Sequence, residues 1–291
     1  MDATLVRRTQ QTMSEPKLNI HINLQAAERT FLLGMQAITQ RVTLGMVAVD
    51  RCEERPIEMP GLFFSMRFGK NTSVDEQARQ DFKSWIVGVG FREAMEMLEP
   101  LIVDMRFVAG LAKAHKNGTL VAPISGTSTQ ILEALRVRET KQFTKHGWPR
   151  KLATLKTEFG ILIPYTDELL SINAARNCMT HRAGIVGAMD VNDPTQSVFV
   201  LRYMTCGVAC NTPEGQKLII NGPGMVLPAG CSPAHGSPVP QQKLFKPGER
   251  LIFTAQEFAH IAYTICSIGI EIIKTTGQYM VDLDIFPTAA H

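Results

Sequence analysis

The segment Leu169-Leu-Ser-Ile-Asn-Ala-Ala-Arg-Asn-Cys-Met-Thr-His-Arg-Ala-Gly184 decides how this chain is read. It follows Pro164, offers Thr166 or Asp167 as a helix cap and ends at a glycine, so it predicts a helix to about Arg182. At about 100° per residue, Arg176, Thr180, Asn173, Asn177 and His181 fall in that order on one arc of about 140°. Ile172, Ala175 and Met179 fall on another side. A solvated helix face ordinarily pairs Lys with Glu at i,i+4, whereas this arc carries two Asn, a Thr, a His and an Arg and no acid. Such groups suit a desolvated polar contact or a bound anion. The same groups also serve a structural end: Asn173 and Asn177 can bond a neighbouring element, and Arg176 and His181 can hold the carbonyls where the chain leaves the helix before Gly184.

Outward from this segment the chain reads as helices on both sides, with a break in between. Residues 23–50 form a helical pattern capped by Asn23, with Leu24, Ala27, Phe31, Met35, Ile38, Val42 and Val49 recurring at helical spacing. Arg55 to Lys70 holds Pro56, Pro60, Gly61 and Gly69 around Leu62-Phe63-Phe64 and reads as a loop or a brief extended run. Ser73 and Glu76 form a capping box for a long pattern through Trp85, Phe91, Met95 and Leu98, with a kink expected at Pro100 and an end near His115. Ser128 to His146 is helical in period, and Pro149 to Phe159 follows with Gly160 just past its end. After Gly184 the texture changes, since the stretch to Gly248 holds half of the 16 Pro and about two fifths of the 22 Gly. Short β-type runs at Ser197–Tyr203, Lys217–Ile220 and Met225–Leu227 mark it as a β-rich insertion. Helical period returns at Thr254, with Phe258, Ile261, Ala262, Ile265, Ile268 and Ile272 on one stripe to about Tyr279.

Composition sets wide bounds. The chain has 291 residues, 45% hydrophobic and 20% charged, with 30 basic against 27 acidic side chains. Those proportions belong to a globular protein and exclude disordered, collagen-like and low-complexity classes. Cysteines at 52, 178, 206, 210, 231 and 266 are too irregular for a disulfide framework, so reduced thiols are expected. The N-terminal stretch shows no apolar h-region, and apolar runs stop short of the ~20 residues that span a bilayer. A cytoplasmic protein without membrane contact is the expectation. A net charge of +3 and a pI near 8.5 neither demand nor exclude a nucleic-acid partner. The chain contains no GxxxxGK[ST], GxSxG, HExxH or EF-hand pattern, which argues against phosphate cradles and α/β-hydrolase chemistry.

Arg176-Asn177-x-x-x-His181 resembles the R-x4-6-H signature of the HEPN superfamily, including a polar residue directly after the Arg. The pattern around it, Thr157-Glu-Phe-Gly-Ile-Leu-Ile-Pro164, then Glu168-Leu-Leu and Arg176-Asn-Cys-Met-Thr-His-Arg-Ala-Gly-Ile-Val186, is similar to HEPN-like proteins with a Gly-Ile-Val stop after the motif. The resemblance covers about residues 150–186, and the long β insertion departs from a minimal unit of that family. It implies a helical, homodimeric protein that cleaves RNA without a metal or other cofactor, in a toxin or defence setting, with a protein inhibitor or antitoxin as a further partner. In the implied mechanism an RNA 2′-hydroxyl attacks the adjacent phosphodiester, with His181 as general base or acid. Arg176 neutralises the phosphate and Asn177 orients the phosphate or the His. A non-catalytic HEPN-like regulatory or interaction protein is the alternative.

Two further sets accompany the motif. Arg136, Arg138, Lys141, Lys145, Arg150, Lys151 and Lys156, with Trp148 among them, could track an RNA backbone. Arg138, Lys141, Lys145, Arg150 and Lys151, together with Arg182, are the expected RNA contacts; a solvated face with Glu133 and Glu139 as partners is the competing reading. Cys206-x3-Cys210 and Cys231-x3-His235 make up a Cys3His set of the kind that binds structural zinc, but Cys206 and Cys210 sit in an apolar strand-like run where they would simply pack. No metal is expected on that ground. The fold expected is mainly α: a HEPN-like helical bundle of residues 20–186 and 250–280, with a β-rich insertion at 187–249 between the motif helix and the C-terminal helix. Residues 1–19 are expected to be a flexible N-terminus and 281–291 a C-terminal tail.

Overall fold

The computed structural model describes residues 22–51, 72–119, 128–212, 217–220 and 230–285. The chain is mainly helical. In order it forms α1 (Leu24–Arg51), α2 (Thr72–Lys116), α3 (Ser128–Thr140), α4 (Trp148–Phe159), α5 (Thr166–His181), β1 (Phe199–Asn211), β2 (Lys217–Ile220), β3 (Ser232–Phe245) and α6 (Ala255–Asp282). The expected flexible N-terminus, the Arg55–Lys70 loop, the Ser73 side chain and the Met225–Leu227 run lie outside the described residues.

Helices α1, α2 and α6 form the body, and each does so through one apolar stripe. On α1, Asn23 Oδ1 accepts the Ala26 N–H at 2.9 Å, and Phe31, Met35, Ile38, Val42, Met46 and Val49 are buried at steps of three or four. By length and apolarity α1 could also cross a membrane, contrary to the sequence expectation that no run was long enough; here its stripe lies in the protein core. On α6, Thr254 and Glu257 form a reciprocal cap, with the Glu257 N–H donating to Thr254 Oγ1 at 3.1 Å and the Thr254 N–H donating to Glu257 Oε2 at 2.8 Å. The three helices come close where a side chain is missing. A methyl group on Gly90 of α2 would stand 2.5 Å from Val42 Cγ2 and 2.7 Å from Phe258 Cζ. Helix α2 runs unbroken through Pro100, the position where a kink was expected, with Leu98, Leu101, Ile102 and Met105 around it all buried against its neighbours.

The insertion forms a three-stranded antiparallel sheet of order β2-β1-β3. It is part of the same core, since Phe199, Leu201, Tyr203 and Phe245 join the helical residues in one hydrophobic cluster. The strands are longer than expected. β1 runs on to Asn211, and β3 crosses Pro233, Pro238 and Pro240, which the sequence reading took as breaks. The register explains the tolerance: Pro238 and Pro240 face Cys206 and Met204. At such alternate positions the backbone N–H points away from β1, so a proline there breaks no ladder bond and blunts an exposed edge.

The other edge of β1 is covered by side chains. β2 pairs only with Val208–Asn211, which leaves the outward amides of the first half of β1 without a strand partner. Asn192 Oδ1 accepts the Val200 N–H at 2.7 Å, Ser171 Oγ of α5 accepts that of Arg202 at 2.9 Å, and Thr264 Oγ1 of α6 accepts that of Met204 at 2.7 Å. Alternate amides of one strand are thus satisfied by a loop and two helices, which fixes α5 and α6 against the sheet.

Candidate functional site

Helix α5 is capped one residue before Thr166 and two before Asp167, the two expected caps. Tyr165, with φ 59°, occupies the cap position, and Thr166 is the first helical residue, its hydroxyl donating to the Ile163 carbonyl at 2.9 Å. The helix buries Leu169, Ser171, Ile172, Ala175 and Cys178; Ala175 and Cys178 lie opposite the polar arc, whereas Leu169, two turns before Arg176, lies in line with it and closes the N-terminal end of that face. At its end Gly184, with φ 76°, takes the left-handed turn that favours glycine, and its N–H donates to the Cys178 carbonyl at 3.2 Å. The Gly-Ile-Val stop then pairs with the segment before α6: the Leu251 N–H donates to Gly184 O at 2.8 Å and the Val186 N–H to Glu249 O at 2.9 Å. This pairing sets Arg250 beside the last turn of the motif helix.

On the arc itself, Arg176 and Asn177 are half-buried and His181 is exposed. Arg176 Nη1 donates to Asn177 Oδ1 at 3.0 Å, so the guanidinium leans from its edge of the arc toward the middle. Asn177 and His181 are one turn apart on the same face. The Arg176 Nε is buried and makes no hydrogen bond, and among the described residues Arg176 has no carboxylate partner. Thr180 Oγ1 donates to the Arg176 carbonyl at 2.8 Å. The structural role weighed for Arg176, holding carbonyls at the helix end, is not the one it plays.

Arg182 is a structural residue. It grips Asp190 through Nε and Nη2, with Nε donating to Oδ2 at 3.0 Å, and the same carboxylate accepts the Gly187 N–H at 2.8 Å. Burial works against its charge, but Asp190 outweighs that and raises its pKa above the usual arginine value. Arg182, expected as an RNA contact, is seen here bracing the turn after the motif. Nearby, burial and then the Asp190 charge push the Cys178 thiol up, and its Sγ donates to the Ile185 carbonyl at 3.3 Å.

The basic track divides in the same way. Lys151 is only 2% exposed, paired with Glu99 and lying 5.6 Å from the Trp148 ring, so it is a core cation and not an RNA contact. Arg136 pairs with Asp104 at 2.8 Å and Glu133 at 3.6 Å, and Arg138 pairs with Glu139 at 3.0 Å, as a solvated face would. Helix α3 stops at Thr140 rather than His146, and a buried Phe143 follows in a short turn. Lys141, Lys145 and Arg150 are exposed. None of these residues lines the cleft beside α5.

The zinc set is not assembled. Cys206 is exposed and Cys210 buried, four positions apart on β1, which separates them by roughly 13 Å at about 3.3 Å per residue. Two thiolates on one zinc must each reach about 2.3 Å from it, so this pair cannot share an ion. The His235 side chain lies outside the described residues. No group of three or more His, Cys, Asp or Glu among the described residues is placed to hold a metal.

A cleft of about 340 Å³ meets the motif arc at Thr180, on the Arg176 edge; Arg176, Asn177 and His181 are not among its lining residues. Its α5 side is Met179, Thr180, Ala183 and Gly184, and its α2 side includes Asp81, Trp85, Gly88 and Arg92, with Arg250 between them. Arg250 pairs with Asp81, and Arg92 lies 3.9 Å from Glu96. Trp85 is 62% exposed and stacks on Phe82 at 5.6 Å between ring centroids, 8° from parallel. The sequence reading put Trp85 on the buried stripe of α2. The signal against that was spacing: Val87, Phe91, Met95 and Leu98 step by three or four, while Trp85 lies six before Phe91, well off their face. Arg250 and Arg92 carry no local motif, and only the folded chain brings them to α5.

Compared with family models, with curated proteins and with solved structures, the chain matches none of them.

Proposed function

We propose that this protein is a HEPN-type, metal-independent endoribonuclease acting in the cytoplasm as a homodimer, with the polar arc of α5 as its active site. The observation that carries this reading is the state of Arg176. A half-buried guanidinium with no carboxylate partner among the described residues, held by one bond from Nη1 to Asn177, keeps Nη donors for an anion from outside the chain; its buried Nε is not one of them. His181 stands exposed on the same arc, one turn beyond Asn177.

A phosphodiester bound by the Nη donors of Arg176 takes the place of a carboxylate partner, and Asn177 keeps the guanidinium turned toward it. His181 removes the proton from the 2′-hydroxyl or returns one to the leaving 5′-oxygen. Arg176 balances the charge that grows on the equatorial oxygens. A second copy of the arc across the dimer supplies whichever of the two proton-transfer roles the first does not fill. A toxin or defence setting, with an inhibitor protein covering the arc, is consistent with this chemistry.

The test is cleavage of mixed RNAs in EDTA by wild type, Arg176→Ala and His181→Ala. Cleavage by wild type alone is expected. A wild type inactive at every value from about pH 6 to about pH 9, the range in which an imidazole can exchange protons, would sink the proposal and leave the non-catalytic alternative.

A further inference from the structure

We propose that the Trp85 wall of the cleft is a subsite for one unpaired nucleobase of RNA, meeting the Arg176 edge of the α5 arc at Thr180; the identity of the polymer rests on the ribonuclease reading. Trp85 and Phe82 are large aromatics left mostly exposed, at 62% and 51%, on a helix whose other face fills the core. They stack nearly parallel. Trp85 lines the cleft and Phe82 does not, so Phe82 backs one face of the indole while the indole itself borders the opening. The rest of the lining includes Thr180, Ala183 and Gly184, all small, with Met179 and Leu251 as apolar floor, so the flat ring borders a partly apolar slot.

Two arginines and one carboxylate, Asp81, border the slot, a balance that leaves room for a base carrying phosphates. Arg92 lies along one part of the rim with a distant carboxylate at 3.9 Å, and Arg250, steadied by Asp81, lies along another. Thr180 belongs both to the slot and to the motif arc, one turn from Arg176. A base stacked on Trp85 therefore directs its neighbouring phosphodiester along the Thr180–Arg176 stripe. Stacking on an aromatic side chain tolerates any base, so the subsite positions single-stranded RNA without reading its sequence.

The experiment uses the full chain and a 2′-O-methyl oligoribonucleotide, which lacks the attacking hydroxyl and stays intact. The protein has two tryptophans, Trp85 exposed and Trp148 buried, so the Trp148→Phe variant reports Trp85 emission alone. Quenching of that emission on titration is expected, and with a fluorescently labelled copy of the oligonucleotide, whose anisotropy reads binding without any tryptophan, affinity should fall about 5- to 100-fold in Trp85→Ala and be largely retained in Trp85→Phe. Because Trp85 is exposed, both variants should keep the wild-type melting temperature. No binding by the folded wild type, or equal binding by Trp85→Ala, overturns the subsite. Quenching without cleavage of natural RNA removes the nuclease reading and keeps the subsite, whereas cleavage with unchanged Trp85→Ala affinity removes the subsite alone.

Discussion

The hydroxyl of Thr264, fully buried on α6, accepts the backbone N–H of Met204 in β1 at 2.7 Å and donates to the His260 carbonyl one turn back at 2.9 Å. It replaces a strand partner at a position where β2 does not reach. Thr264→Val keeps the shape and removes the acceptor, leaving a buried amide unmatched, and is expected to cost about 1–3 kcal/mol. Thr264→Ser should retain most of that stability. Denaturant midpoints of the two variants check the difference.

Gly269 of α6 holds Phe31 of α1: a methyl there would meet Phe31 Cζ at 2.6 Å. Gly269→Ala is expected to destabilise by about 1–3 kcal/mol, since a rigid ring between helices has little room to move. Gly110 of α2 has nothing within 4 Å of the same added group. Gly110→Ala should therefore stabilise by about 0.5–1 kcal/mol through helix propensity. Opposite shifts in melting temperature are the expected readout.

The helices were legible in the sequence because each carries a local signal: Asn23 before the α1 stripe, Pro149 and Gly160 at the ends of α4, Thr254 and Glu257 at the start of α6. The sheet was only partly legible. β3 reads as turns because its prolines are local, while what makes them harmless, a row of N–H positions facing away from β1, depends on the register between strands. At the site, the arc from Arg176 to His181 could be drawn from helical period alone. Its surroundings could not: Lys151 and Glu99 meet from distant segments, Arg182 finds Asp190 across a turn, and Arg250 arrives by pairing with Gly184.

Asp190 holds Arg182 and the Gly187 amide together in the turn after α5. Asp190→Ala strands both, and with the guanidinium about a quarter exposed the expected loss is about 2–4 kcal/mol. Thermal unfolding measures it. RNA affinity per folded molecule should stay unchanged, because Arg182 serves the turn.

Glu257 accepts from the Lys243 ammonium at 2.7 Å as well as from the Thr254 N–H. Burial pushes its carboxyl up, but the Lys243 and Thr254 bonds outweigh burial and hold it below the ordinary value of 4.5. A carboxyl depressed in the fold contributes stability that is present above its unfolded pKa and lost as pH falls through the folded one. Between about pH 6 and about pH 3 the wild-type melting temperature should therefore fall further than that of Glu257→Gln, in which this linkage is absent.

The most direct measurement is cleavage, in EDTA, of a short single-stranded RNA beside an oligonucleotide of the same sequence with every 2′-hydroxyl removed, followed by mass analysis of the ends. The expected result is RNA fragments ending in a 2′,3′-cyclic phosphate and a 5′-hydroxyl, an intact deoxy strand, and no products from Arg176→Ala or His181→Ala. Equal cutting of both strands, or an RNA that binds the α5 arc and stays whole, would contradict a 2′-hydroxyl mechanism at Arg176 and His181.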